Sequence, residues 1–107
     1  MTELLDKNFY NCVNVRIDTF GQDGSGLTSI GKQCFQGAGH NTGTIDAIYL
    51  YNSVIRLGEN CFTRYGSSSG ISNIFTTLPD TSEYRQNWDV VSICGKSEVS
   101  INDWSGV

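Results

Sequence analysis

The chain has 107 residues, enough for one domain with a modest core. Seven Lys and Arg against eleven Asp and Glu give a net charge of −4 with no basic stripe, which argues against a nucleic-acid partner. No apolar run approaches the ~20 residues that span a bilayer, and "MTELLDKNFYNC" lacks the basic and apolar regions of a signal peptide.

In chain order, "LLDKNFYNC" begins partway through a repeat. It has room for a single helical turn, which leaves apolar surface and strand edge open at this end. "CVNVRI" offers Cys12, Val15 and Ile17 as apolar-x-x-apolar-x-apolar, the strand-bearing pattern of a leucine-rich repeat. A shifted frame, Val15, Asp18 and Phe20, would bury an Asp, so the first frame is preferred. "IDAIYLYNSV" repeats the pattern at Ile45, Ile48 and Leu50, and "ISNIFTTLP" at Ile71, Ile74 and Thr76. The last three residues of each alternate as a half-buried strand should. "QGAGHNTGT" and "TRYGSSSG" read as loops on one edge. After Pro79, "DTSEYRQNW" predicts a short helix with Asp80 as N-cap and Glu83 as its capping-box partner. Two short strands are expected around Val90 to Cys94 and Val99 to Ile101, with Trp88 and Trp104 packing this segment over the last coil.

Between the strand patterns a corner recurs. "LTSIGKQCF" and "VIRLGENCF" match position for position, with Phe35 and Phe62 27 residues apart and Phe9 another 26 residues back. Such a period marks a solenoid. Phe35 and Phe62 should stack as core wedges. Gly31 and Gly58 should provide a special backbone conformation or close approach to the next coil. Cys34 and Cys61 occupy one repeat position, and none of Cys12, Cys34, Cys61 and Cys94 forms a CxxC pair, so structural free thiols are expected ahead of disulfides or a metal.

These residues resemble the BspA-type leucine-rich repeat. Asn52, Ser53, Val54, Leu57, Gly58 and Phe62 match its consensus directly, with Cys61 where Ala is usual, and the resemblance covers roughly residues 9–78. It implies a surface-displayed binding array of gut bacteria, some protozoa and their viruses, used in adhesion and protein contacts rather than catalysis. This chain differs from the family in its few repeats, its long loops and its lack of a signal peptide. Those differences fit a small virion component or an excised module, and the lack of a signal peptide tilts the expectation toward a phage or virus structural protein.

Chemistry-bearing motifs are weak by comparison. "GLTSIGKQ" echoes a phosphate-binding loop, but Gln33 replaces the Ser or Thr that reaches magnesium. His40 and Cys34 are an imaginable dyad, although Cys34 is a core position. Asp18 and Asp23 faintly echo a calcium loop without its alternating ligands, and Ser67 to Ser69 read as a flexible loop. A better candidate is the outer strand face. In the preferred frame Arg16, Tyr49 and Phe75 form one row, and Asp18, Tyr51 and Thr77 a second. Adjacent strands lie ~4.8 Å apart, so these side chains stack as a ladder with the composition of a binding hot spot, unless loops or the cap cover them.

The expectation is therefore a single α+β domain, residues 1–107. Residues 1–78 form a short leucine-rich-repeat solenoid with a small parallel sheet, and 79–107 a C-terminal cap. Its function is expected to be non-enzymatic, structural or protein-binding, at a cell surface or in a virion, with no cofactor and no metal. It would hold a protein partner or its own copies through the strand face and the N-terminal end. A glycan-binding adhesin and a small enzyme using Cys34 or Cys94 are the alternatives.

Overall fold

Spaced aliphatics wind the chain into stacked coils whose strands run parallel. The computed structural model describes residues 3–22 and 26–106, so Asp23 lies outside the described residues. Strands β1 (Glu3–Leu4), β3 (Ser29–Ile30) and β5 (Arg56–Leu57) form one wall in the order β1-β3-β5. Strands β2 (Thr19–Phe20), β4 (Ala47–Leu50), β6 (Asn73–Thr76) and β7 (Ser100–Asp103) form a second, in the order β2-β4-β6-β7. Every pairing is parallel. The arrangement is a β-solenoid-like stack with two parallel sheets rather than the one expected, and two short helices, α1 (Glu83–Gln86) and α2 (Val90–Cys94). The N-terminal segment supplies strand β1 where a helical turn was expected.

The repeated corner builds a third wall out of turns. Phe9, Phe35 and Phe62 donate their N–H groups to the carbonyls of Cys34, Cys61 and Ile93 in the next coil, at 2.8, 2.8 and 3.0 Å. Intervening residues close local turns, as Cys34 does on Gly31 and Cys61 on Gly58. This winding places Lys7, Gln33 and Asn60 at φ 57°, 57° and 58°, and Asn11, Gly37 and Arg64 at 54°, 72° and 54°. Left-handed backbone costs a non-glycine residue about 1–2 kcal/mol, and here the hydrogen bonds between coils offset it. Gly31 and Gly58 serve close approach, since neither has a left-handed φ. The coil they approach is the preceding one: a Cβ on Gly31 would lie 2.6 Å from Asp6 N, and one on Gly58 2.5 Å from Lys32 N.

Inside, Phe9, Phe35 and Phe62 stack at centroid distances of 5.1 and 5.5 Å, and Phe20 meets Phe35 and Phe62 edge-on. Ile45, Ile48, Leu50, Ile71 and Ile74 are fully buried beside them. Thr76 is buried at the same repeat position because its Oγ1 accepts the Leu78 N–H at 3.1 Å, so the hydroxyl carries no unsatisfied polar cost. "TRYGSSSG" is not simply a surface loop. Tyr65 is fully buried, and its hydroxyl accepts from Ile17 N–H and donates to Ile17 C=O.

Strand β2 takes the shifted frame. Thr19 pairs with Tyr49 and Phe20 with Leu50, so the inward set is built on Phe20 and the frame Cys12, Val15, Ile17 is overturned. Burying a phenyl ring between Phe35 and Phe62 decides the register. Asp18 escapes burial because it precedes the two-residue strand. Its side chain stays 45% exposed, 2.9 Å from Arg16 Nε, while its carbonyl takes the Tyr49 N–H.

Residues 79–106 add a fourth turn to the stack. Helix α1 starts at Glu83 with Ser82, not Asp80, as N-cap. Val90 to Cys94 is helix, not strand. The Asp89 side chain caps its first turn by accepting from Val91 N–H, and Gly95 at φ 71° ends it. Capping at both ends outweighs the β-preference of the two valines. Ser92 and Ile93 offer their carbonyls to Asn60 and Phe62, β7 extends the second sheet, and Trp88 Nε1 donates to Ile55 C=O at 2.9 Å.

Candidate functional site

Alternation along β4 and β6 sends Ile48, Leu50, Ile74 and Thr76 inward, leaving Tyr49 and Phe75 on the outer face. The observed register gives the ladder Thr19–Tyr49–Phe75–Asn102. Arg16 and Asp18 do not belong to these rows. Thr19 stands where Arg16 was expected, and Arg16 and Asp18 pair with each other three residues ahead. Tyr49, Phe75, Tyr51 and Thr77 remain together on the face.

Tyr49 and Phe75 stack at 5.1 Å with ring planes 16° apart. That separation is close to the ~4.8 Å strand spacing, so the rings meet face to face and turn their edges outward. Trp104 completes the group. Its N–H donates to Thr76 C=O at 3.0 Å, one residue past β7. Its indole lies 5.1 Å from Tyr49 and 4.9 Å from Tyr51, tilted by 57° and 59°. Trp104 follows Thr77 at the repeat spacing, and the small Thr77 in the intervening coil leaves the gap the indole crosses. The same pitch was present in the sequence, as Tyr51, Thr77 and Trp104 are 26 and 27 residues apart. The four aromatic residues are all half-buried.

Two clamps hold this end of the face. Arg85, its side chain only 11% exposed, donates to Leu78 C=O at 2.8 Å and to the Asp103 carboxylate, tying α1 to the ends of β6 and β7. Tyr51 Oη donates to Gly106 C=O at 3.1 Å, drawing the segment beyond β7 back across the sheet.

Comparison with protein-family models, with curated proteins and with solved structures finds no match for this chain. The site therefore rests on its own geometry. Other candidates converge less. The four cysteines are free thiols, and Cys34, Cys61 and Cys94 are buried. Burial pushes the Cys34 thiol up to about 11, the Cys94 thiol up to about 12, and Cys61 upward as well, which keeps them protonated and poorly nucleophilic. His40 is exposed, with Nε2 2.8 Å from Arg64 C=O. Among the described residues no cluster of three His, Cys, Asp or Glu is arranged to hold a metal ion, and no helix is long and apolar enough to cross a membrane. An open groove of about 650 Å³ crosses the β1-β3-β5 wall, with Glu3 and Asp6 at one end and Arg56 at the other.

Proposed function

We propose that the protein is a non-enzymatic structural or protein-binding module that engages its partner through the outer face of the β2-β4-β6-β7 sheet. The observation that carries this reading is the contiguous aromatic group of Tyr49, Tyr51 and Phe75, on which Trp104 packs. Contiguous, partly exposed aromatics on an outer sheet face suit an interaction site, whereas isolated ones do not. A protein partner is favoured over a glycan because Tyr49 and Phe75 spend ring faces on each other, and sugars stack on free faces. The first coil, with Leu5, Tyr10 and Val13 exposed, is the weaker surface. Leu5 occupies the repeat position of Gly31 and Gly58, so a coil laid on this end in register would meet a side chain where close approach demands none.

The corner motif and the buried pattern support reading the chain as a divergent BspA-type leucine-rich repeat. With that reading comes the setting it implies, surface attachment or virion assembly. Selection of a displayed random-peptide library on the immobilised protein tests the face. The expected result is enrichment of peptides whose binding is lost in Tyr49→Ser and retained in Arg56→Ser, on the β1-β3-β5 wall. Peptides that bind both variants equally would place the binding surface elsewhere.

A further inference from the structure

We infer that the segment Trp104–Gly106 is an intramolecular occupant of the aromatic face, and that the partner is a peptide segment presenting an aromatic side chain to the same slot. This rests on the face reading above and names the class of ligand that fits it.

Two observations point to a docked segment. Trp104 N–H makes the last ladder bond, to Thr76 C=O, as Thr77 does to Leu50 one coil earlier, and the described residues after it, Ser105 and Gly106, lie in no strand. The segment then makes the contacts a docked peptide makes. The indole packs on Tyr49 and Tyr51 across the intervening Thr77, and the Tyr51 hydroxyl donates to the Gly106 carbonyl. Gly106 is suited to this. Its φ is +87°, and a Cβ there would lie 3.2 Å from Tyr51 Cε1, so the tail can turn closely against the ring. The row Tyr51–Thr77–Trp104 has its smallest residue in the middle, so the indole reaches Tyr51 across Thr77. An aromatic anchor combined with main-chain hydrogen bonds at a strand end is a known mode of peptide recognition.

A tethered occupant competes with a free one through its high effective concentration. The apparent affinity for a partner then falls by the fraction of molecules whose tail is released. The tail thus sets a threshold for binding, and whatever draws residues 104–106 away opens the site.

The test uses the full-length protein and Trp104→Ser, titrated with a peptide of residues 102–107, Asn-Asp-Trp-Ser-Gly-Val, and followed by amide chemical shifts. Saturable binding to Trp104→Ser is expected, with shifts centred on Tyr49, Tyr51 and Thr77. It should be at least tenfold weaker in the wild type and absent for a peptide with Ser in place of Trp. Tyr51→Phe, which keeps the ring but releases Gly106, should fall between the two. Equal binding to wild type and Trp104→Ser, or no binding to folded Trp104→Ser, overturns the inference, as does a Trp104→Ser chain that fails to fold. If library peptides bind the face but lack aromatic residues and ignore the tail, the face reading stands and this inference alone fails.

Discussion

The Tyr65 hydroxyl holds both backbone polar groups of Ile17, at 2.6 Å each. One side chain from the third coil thereby fixes the approach to β2 in the first. Because β2 pairs over only two residues, this spoke substitutes for a longer ladder. Tyr65→Phe should leave the ring packed against Phe35 and Phe62 while losing both hydrogen bonds, at a cost of about 1–3 kcal/mol. Chemical denaturation measures the loss, and amide exchange at Ile17 should rise more than at Ile74.

Coil spacing depends on two glycines. Gly58→Ala places a methyl 2.5 Å from Lys32 N and 2.7 Å from Gly31 C, both backbone atoms that move only if the coils separate. The expected loss is about 1–3 kcal/mol or more, read as a lower melting temperature. At Gly70 the nearest atom would be 3.4 Å away, so any loss in Gly70→Ala reflects its φ of +71° rather than coil separation. Weakening of the Phe35 N–H to Cys61 C=O bond, visible in its amide shift, should appear in Gly58→Ala only.

The buried thiols make alkaline stability a readout of the core. An unfolded thiol ionises near its ordinary 9.0, whereas Cys34 and Cys94 are held at about 11 and about 12 by burial. Above pH 9 the unfolded chain therefore binds fewer protons than the folded one, and stability falls as pH rises. Their contribution is complete below pH 9 and declines through the window up to the folded values. Tyr65, raised from 10.0 to about 12 by the same burial, adds to the decline. A pH series of denaturation midpoints checks this. In the native protein at pH 8, a maleimide should label Cys12, which is only half-buried, well ahead of the other three thiols.

Local repetition carried much of this structure into view. The paired corners around Phe35 and Phe62, and the inward sets Ile45/Ile48/Leu50 and Ile71/Ile74/Thr76, follow from spacing alone and are buried as that spacing requires. The first coil was misread because burying an Asp was weighed as prohibitive, while Asp18 sits ahead of a very short strand and turns to solvent. The helix Val90–Cys94 was misread because two adjacent valines suggested a strand, whereas Asp89 and Gly95 cap a helical turn. Of the face, Tyr49, Tyr51, Phe75 and Thr77 were legible from alternation. Trp104 was not, because the repeat pattern had lapsed by Pro79 and only the 27-residue pitch from Thr77 survived to mark it.

The aromatic pair itself offers the most direct measurement. In Tyr49→Ser/Phe75→Ser two half-buried rings leave the outer face while the inward residues of β4 and β6 are unchanged. The stack should keep its native spectrum and a cooperative melt, with a loss of about 1–3 kcal/mol from the ring contacts. Affinity for peptides selected on the wild-type face should fall at least tenfold. Global unfolding of the double variant would assign both rings to the core, and undiminished affinity in a folded variant would remove the face from the binding surface; either result contradicts the account.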